Sequence, residues 1–443
     1  MRKFLILGLI FLVSLGLRFW NLGQFNTLVF DEVYYAKFAN NYLTRTPVFN
    51  SHPPLTEYLI ALGMWLYSSF QASPDITNDL TGSWGSTISY RWLNALTGSF
   101  FPLILGAIAY QLTHRRSQAI IITLLAAMEG LFLVESRYAL NNIYLVTFGL
   151  LGHLFFLLFV NQSKYIYLTL SGIFSGASAT IKWNGLGFLL GIYLLIFLVY
   201  ISQHFRSLFE LNNLGIFAKI KLVKPYLLLF NFLIVPIVTY AILWIPYLLL
   251  NTEYSLWVLH QKIWSFHQNI GSSFDVHPYC SKWYSWLVMA RPIAYFYETK
   301  NTLSGTTIYD VHAMGNPILW WLATGSIIIL SFFLLIIIFK KKYNYYFAFL
   351  LFILINYCSN LLPWILVSRC TFLYHYMSAY SFALLGIGLI IEQCLIGHSL
   401  LNRRVGIFLL LLISLAFMYW LPMYLGLPLS SKGFAMRMLP NWI

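Results

Sequence analysis

The sequence has few charged residues and especially few acids. Only 9% of its 443 residues are Asp, Glu, Lys or Arg, whereas 60% are hydrophobic. A soluble domain of this composition would leave large apolar patches in water, so the scarcity of charge excludes a soluble globular protein. Acids number 13 against 27 Lys and Arg, which gives a formal net charge of +14.

Other absences narrow the chemistry. The four cysteines show no CxxC or metal-ligand spacing and are too few for a disulfide framework. A Cys280–Cys370 bridge is topologically possible, but buried free thiols are the favoured interpretation. No Gly-rich phosphate loop, Ser-His-Asp order or zinc motif is visible. His260, His267 and His277 lie in one segment at irregular spacing, so we expect no metal site and no cofactor.

Long apolar runs fill the sequence from end to end. A hydrocarbon layer of roughly 30 Å requires about 20 apolar residues of a helix. We therefore predict an all-α polytopic membrane protein with about eleven transmembrane helices, the first of them an uncleaved span. The predicted spans are residues 4–22, 90–112, 118–134, 143–160, 165–181, 185–203, 226–250, 317–339, 346–366, 371–392 and 405–424.

The charges of the short loops predict the orientation. With the N-terminus in the cytoplasm, every cytoplasmic loop is basic, and only Glu210 and Glu392 among the acids fall on that side. The net positive charge therefore reflects topology and gives no support for nucleic-acid binding. The residues leave open whether the membrane is the plasma membrane of a bacterium or an organellar membrane.

Two outward segments, residues 23–89 and 251–316, are too long to be simple connectors, and function is expected there. The first lies within an N-terminal membrane module, residues 1–250, and the second separates that module from a C-terminal four-helix region, residues 317–443. In the first segment, helical spacing of apolar residues predicts two amphipathic helices at the membrane surface. Residues 71–89 are polar and turn-rich, which predicts a loop.

An acidic pair follows the first span. Asp31 and Glu32 would point about 100° apart on a helix, so one can act while the other positions. The plain alternative is a helix N-terminal pair that interacts with the macrodipole or with Lys37. Carboxylates beside a membrane are costly unless used or paired, and His52 of a rigid His-Pro-Pro corner lies in the same segment. These features favour a catalytic role.

Several cations share the outer face. Arginine forks match phosphate oxygens, although any single cation can instead anchor at lipid headgroups. One carboxylate base with cations suits transfer of a sugar from a lipid phosphate, because phosphate leaves readily and needs charge neutralisation rather than a second carboxyl acid. The candidate substrate-binding residues are Arg18, His52, Arg91, Arg137, Lys182 and Arg291, and Arg369 lies on the same face.

The order of several motifs resembles that in the protein O-mannosyltransferases that use polyprenyl-phosphate mannose. The motifs are RFWNLG, FDEVYYAKFANNYL, HPPL, YRWLNALTGSFFPLILG, ESRYALNNIYL, SATIKWNGL, HPYCSKWYSWLVMARPIAYFYE, GNPILWW and RCTFLYHYMSAYSFALL, and they span nearly the whole chain. The resemblance implies a GT-C membrane enzyme that moves mannose from the lipid carrier to Ser or Thr hydroxyls of secreted proteins, with an outward active site.

By motif, Asp31 resembles the family's catalytic base and Glu32 its essential neighbour. Arg18 and Arg91 match arginines important in the family, with Arg91 a candidate for the donor phosphate, and His52 matches the HPP histidine. Segment 251–316 is too short for the β-trefoil domain of eukaryotic members, so the chain resembles the bacterial form.

The resemblance also shows one departure at a chemically important place. The family often has Leu-Asp-Ser where this chain has Asn141-Asn142-Ile143, so a carboxylate is missing there.

Two other functions stay open at this point. One is a related GT-C transferase that acts on a glycolipid, such as an aminoarabinose or hexose transferase, although such enzymes usually carry KPP in place of His52-Pro53-Pro54. The other is a transporter, which would place ionisable residues near the bilayer midplane. The sequence does not indicate an oligomeric state.

Overall fold

The computed structural model of the chain describes residues 2–70, 86–204, 215–271, 277–302, 305–341 and 345–442. Helices dominate it. The first nine are α1 (Arg2–Phe19), α2 (Glu32–Thr44), α3 (Leu55–Phe70), α4 (Thr87–Thr113), α5 (Arg116–Ala127), α6 (Gly130–Arg137), α7 (Asn142–Gln162), α8 (Tyr165–Ile181) and α9 (Leu186–His204). The others are α10 (Pro225–Leu229), α11 (Val235–Leu250), α12 (Leu256–Asn269), α13 (Trp283–Trp286), α14 (Pro317–Phe339), α15 (Tyr345–Leu361), α16 (Met377–Ile396), α17 (Leu400–Leu425) and α18 (Ser431–Ala435).

The multi-pass helical architecture predicted from the apolar runs is confirmed. Within the described residues, eight helical segments are long and apolar enough to cross a membrane, namely α4, α7, α9, α10 with α11, α14, α15, α16 and α17. The α5–α6 pair is bent by 61° and is either a broken span or a re-entrant loop. A helix occupies every predicted run, but α1 and α8 are shorter than these spans. The count of eleven crossings therefore stays a prediction.

A buried carboxylate caps the helix that follows the bend between α5 and α6. The Glu129 side chain accepts a hydrogen bond from the backbone N–H of Phe132 at 3.0 Å, which satisfies a donor in the first turn of α6. Because α6 begins after the bend and runs in a new direction, its last turn reaches the first outer segment. Glu135 and Arg137 lie in that turn.

Small residues let the central helices approach closely. Helices in lipid associate through close van der Waals packing, which glycine favours. A Cβ atom on Gly149 of α7 would lie 2.2 Å from the ring of Phe188, and one on Gly172 of α8 would lie 2.1 Å from the carbonyl oxygen of Asn231. Alanine at either position would force these helices apart.

The first outer segment contains the two predicted helices, α2 and α3. In α2 the buried side chains Tyr35, Ala36 and Ala39 recur at helical spacing, whereas Tyr34 is exposed. Helix α2 is therefore amphipathic, as predicted. Most of the predicted loop at 71–89 lies outside the described residues, which resume at Ser86.

Two strands of the second outer segment and a third strand after α17 form a small antiparallel sheet that was not predicted from the sequence. Its order is β1–β2–β3, with β1 at Ile293–Thr302, β2 at Gly305–Ala313 and β3 at Leu429–Ser430. Ala294 pairs with His312 and Phe296 with Val311, so Tyr295 between them has no partner on β2. Such a bulge redirects a side chain, and the Tyr295 side chain is buried.

The expectation of free thiols is wrong for two of the four cysteines. Cys280 and Cys370, 90 residues apart in sequence, form a disulfide. Beside it the Ser281 N–H donates to the Thr371 carbonyl oxygen at 2.8 Å, and the Thr371 hydroxyl donates to the Ser281 carbonyl oxygen at 2.6 Å. The second outer segment is thereby fastened to the loop between α15 and α16. The free cysteines are Cys358 and Cys394.

Candidate active site

A strained turn presents Asp31. Phe30 adopts φ of 51°, a left-handed conformation that costs a non-glycine residue roughly 1 to 2 kcal/mol. Its ring stacks on Tyr295 with centroids 4.1 Å apart, which helps to hold it there. Asp31 occupies the N-cap position of α2, but its side chain makes no capping hydrogen bond. Backbone strain of this kind concentrates at functional sites, and here it leaves a carboxylate available.

Glu32, by contrast, is completely buried and fully engaged. One carboxylate oxygen accepts from Arg91 Nε and from the backbone N–H of Ala139, each at 2.8 Å. The other accepts from the backbone N–H of Val29 at 2.8 Å and from an Arg91 terminal nitrogen at 2.7 Å. Four hydrogen bonds leave Glu32 no capacity for substrate. The geometry supports a role in organising the turn that carries Asp31.

Arg91 is equally saturated. Besides its two hydrogen bonds to Glu32, it donates to the carbonyl oxygens of Leu22, Phe25 and Thr27 at 3.1, 3.0 and 2.8 Å. All five N–H groups of the guanidinium are thus used, and the side chain is buried. The structure leaves no N–H of Arg91 for a donor phosphate. Arg91 instead ties the chain after α1 to Glu32.

Three further predicted cations are not brought to a common cavity. One terminal nitrogen of Arg137 donates to the carbonyl oxygens of Leu17, Arg18 and Trp20, where it closes the end of α1. Arg18 donates to the hydroxyl and carbonyl oxygens of Ser14 inside the protein. Arg291 donates to the Pro278 carbonyl oxygen at 3.0 and 2.7 Å. These arrangements suit structural roles.

His52 and Lys182, however, line a cavity of about 980 Å³. Its polar end also contains His267 and Arg369. The remaining wall is largely apolar and comes mainly from α9 and from the helical turn at Leu362–Leu366; it includes Leu186, Leu189, Leu190, Tyr193, Pro363, Leu366 and Val367. Cations at one end and apolar side chains along the wall suit a lipid with an anionic headgroup.

The two histidines of the cavity are neutral at pH 7. Burial, reinforced by the charge of Lys182, lowers the pKa of His52 well below its usual value. Burial and then Arg369 lower the pKa of His267 to about 4. His267 Nε2 lies 2.9 Å from the Ser51 carbonyl oxygen and must donate to it, so the unpartnered Nδ1 is an acceptor. A sugar hydroxyl is a suitable donor to that nitrogen.

The three histidines weighed as metal ligands have separate partners. His260 contacts the Tyr240 hydroxyl at 2.7 Å, His267 binds the Ser51 carbonyl oxygen, and His277 accepts from the backbone N–H of Tyr279. Within the part of the chain that the structure describes, no three or more His, Cys, Asp or Glu side chains are grouped for a metal ion.

Asp31 and Lys182 lie close enough to interact electrostatically. Burial raises the pKa of Asp31 to about 6, although the positive charge of Lys182 opposes this rise. Lys182 lies at the junction between α8 and the next helix. Burial and the charge of Arg369 lower the pKa of Lys182 to about 8, while Asp31 and Glu135 act in the opposite direction. Near pH 7 the site therefore holds an ionised base beside a charged ammonium group.

Sequence reasoning missed Glu135 as a member of this site. Its carboxylate accepts from the Tyr295 hydroxyl and, with each oxygen at 3.2 Å, from the side-chain amide of Asn142. The Glu135 carboxylate therefore lies beside Asn142, in the stretch where the motif resemblance indicated that a carboxylate is missing. The sequence contained a signal for Glu135, because an acid in an apolar helix is costly unless it is used.

Two family models together match nearly the whole chain. Residues 8–247 match the model described as dolichyl-phosphate-mannose-protein mannosyltransferase. The chain belongs to this family. Residues 252–442 match the model described as the C-terminal four TMM region of protein-O-mannosyltransferase. The resemblance stated from the motifs is thereby confirmed.

Curated relatives carry related names. Protein O-mannosyl-transferase 1 of Mus musculus is 31% identical over 194 residues, which cover 41% of this chain. The alignment spans only 26% of that relative's length. The polyprenol-phosphate-mannose--protein mannosyltransferase of Mycobacterium tuberculosis is 23% identical over 521 residues, covering 100% of this chain and 92% of the relative.

A solved structure shares the fold. The Saccharomyces cerevisiae protein O-mannosyltransferase Pmt1–Pmt2 complex bound to the sugar donor matches with a TM-score of 0.83 at 15% identity. The match covers 100% of this chain and 93% of the yeast chain. The predicted GT-C fold is confirmed.

Proposed function

We propose that this protein transfers mannose from polyprenyl-phosphate mannose to Ser or Thr hydroxyls of proteins. One observation carries the proposal: the carboxylate of Asp31 interacts electrostatically with Lys182, and Lys182 lines the cationic end of an otherwise lipid-like cavity. Family membership and the names of the relatives support mannose as the sugar and a protein as the acceptor.

The chemistry requires one base and a stabilised leaving group. Asp31 takes the proton of the acceptor hydroxyl while the oxygen of that hydroxyl attacks the anomeric carbon of mannose. The bond between that carbon and the phosphate oxygen breaks, and polyprenyl phosphate leaves with the electron pair. Lys182 and Arg369 neutralise its charge. A single displacement of this kind inverts the anomeric configuration, and the base needs no metal or cofactor for its part.

We also propose how residues 1–250, 251–316 and 317–443 divide the catalytic and donor-binding roles. We assign the base and its supports to residues 1–250, since Asp31, Glu32 and Arg91 lie there. His267 from 251–316 and Arg369 from 317–443 complete the cationic end of the donor cavity.

We propose that the site faces the extracytoplasmic side. The basic loops support this orientation, and the Cys280–Cys370 bond adds support because disulfides persist in oxidising compartments. The bond lies in the same outer region as Arg369, which is next to Cys370 in sequence.

Transfer is tested with purified protein, radiolabelled polyprenyl-phosphate mannose and a Ser/Thr-rich peptide. A peptide with alanine at every Ser and Thr is the matched control. Label should appear on the first peptide only, and glucose or aminoarabinose on the same carrier should compete poorly. Label that enters a glycolipid while the peptide stays unlabelled would show that the acceptor is wrong.

A further inference from the structure

Glu135 is a buried acid that the proposed reaction does not use directly. Its side chain has no exposure to solvent and lies in α6, where an isolated charge would be costly. The Tyr295 hydroxyl and the Asn142 amide hold the carboxylate from two sides. Neither partner carries a charge, so these hydrogen bonds hold the carboxylate without pairing it with a cation.

The available cation is Lys182. Its ammonium group interacts with the carboxylates of Asp31 and Glu135, and it lies over the Tyr374 ring at 5.2 Å. Among the described residues, none accepts a hydrogen bond from the Lys182 ammonium group. The groups that face Lys182 from the surrounding elements are Asp31, Glu135, Arg369, His52, His267 and His375.

We propose that Glu135 is a positioning residue that keeps the Lys182 ammonium charged and directed toward the donor phosphate. The inference rests on the proposed function and deepens it. Arg369 repels Lys182 across the cavity, and Asp31 must stay free to take a proton. Glu135 therefore supplies the counter-charge that does not take part in the reaction.

The inference predicts a specific pH dependence. Lys182 loses its proton near pH 8 because burial and Arg369 lower its pKa to about 8. The carboxylate of Glu135 opposes that lowering, so its removal brings the pKa lower still. An opposite charge nearby typically shifts a pKa by roughly one unit or more. Phosphate binding should then fall off at a pH about one unit lower.

The test measures binding of radiolabelled polyprenyl phosphate, without sugar, to the full-length protein in nanodiscs between pH 6 and 9. Glu135→Gln should weaken binding about fivefold at pH 8, since about half of Lys182 is charged in the wild type and about a tenth in the variant. Binding at pH 6 should change little. The double variant E135Q/N142D moves the carboxylate across the Glu135–Asn142 contact, so it should restore the wild-type pH dependence.

Glu129→Gln is the matched control, because Glu129 is an equally buried acid at the start of α6 and is not among the charged groups that act on Lys182. It should leave the pH midpoint in place. An unchanged midpoint in E135Q would overturn the proposal, and so would an E135Q/N142D midpoint below that of the wild type. If E135Q alone does not fold, a lowered midpoint in the double variant still overturns the proposal. Mannose transfer by the wild type is measured in parallel, and its absence would count against the proposed function only.

Discussion

Replacing Arg91 by methionine removes five hydrogen bonds and leaves the carboxylate of Glu32 buried without its cation. Breaking a buried ion pair from one side costs about 3 to 5 kcal/mol. The cost should fall on the turn that carries Asp31, because Glu32 also accepts from the backbone N–H groups of Val29 and Ala139.

Hydrogen exchange measures this loss directly. If opening of the turn exposes the Val29 and Ala139 N–H groups, 3 to 5 kcal/mol corresponds to roughly two to three and a half orders of magnitude faster exchange. Mannose transfer should fall mainly in kcat, since Asp31 is misplaced while the donor cavity is intact. Arg291→Met is the matched control, and it should leave exchange at both N–H groups unchanged.

The opposite pattern would refute this reasoning. If Arg91→Met left exchange at Val29 and Ala139 unchanged and raised only the donor KM, Arg91 would bind the phosphate, as the motif comparison had suggested.

Three further predictions concern the base, its pH range and the disulfide. Asp31→Asn should lower kcat by about 10² to 10⁴, the usual contribution of a general base, with polyprenyl phosphate binding retained; full turnover would remove Asp31 as the base. Activity should fall below about pH 6, where Asp31 becomes protonated, and above about pH 8, where Lys182 loses its charge, so a profile that is flat from pH 5 to 9 would contradict both assignments. Replacing Cys280 and Cys370 by serine should lower stability by about 2 to 4 kcal/mol and weaken donor binding, as followed by thermal unfolding and a binding assay; Cys358→Ser is the control, and an equal effect there would show that the disulfide does not matter.

Much of the fold could be predicted because lipid imposes a simple rule on the sequence. A spanning helix must be apolar over its length, so the runs that contain α7 and α14 were evident. The sheet follows no such rule. Strand β1 has a bulge at Tyr295, and its first half is apolar throughout, so its sequence does not alternate regularly. Strand β3, which pairs with β2, lies more than 100 residues further along the chain.

The site was predicted less completely because cations at outer helix ends look alike in sequence. Whether a guanidinium reaches substrate depends on which carbonyl oxygens surround it after folding. Carbonyl oxygens accept hydrogen bonds from Arg91 and Arg137, whereas Arg369 lines the cavity. The Asp31–Glu32 pair was predicted because it directly follows a membrane span, where carboxylates are costly unless used or paired. Glu135 was missed because its neighbours, Tyr295 and Lys182, are far away in sequence.

The electrostatic interaction between Asp31 and Lys182 affects the order of donor binding and proton transfer. In the free protein the Lys182 charge holds down the pKa of Asp31, which weakens it as a base. A donor phosphate that binds Lys182 brings negative charge to the same place and offsets that influence. Asp31 should therefore become a stronger base only when the donor is in the cavity. In the free protein, Asp31 takes up a proton less readily. The acidic limb of kcat, which reports the bound state, should lie at higher pH than the acidic limb of kcat/KM for the donor, which reports the free protein. Coincident limbs would mean that phosphate does not engage Lys182.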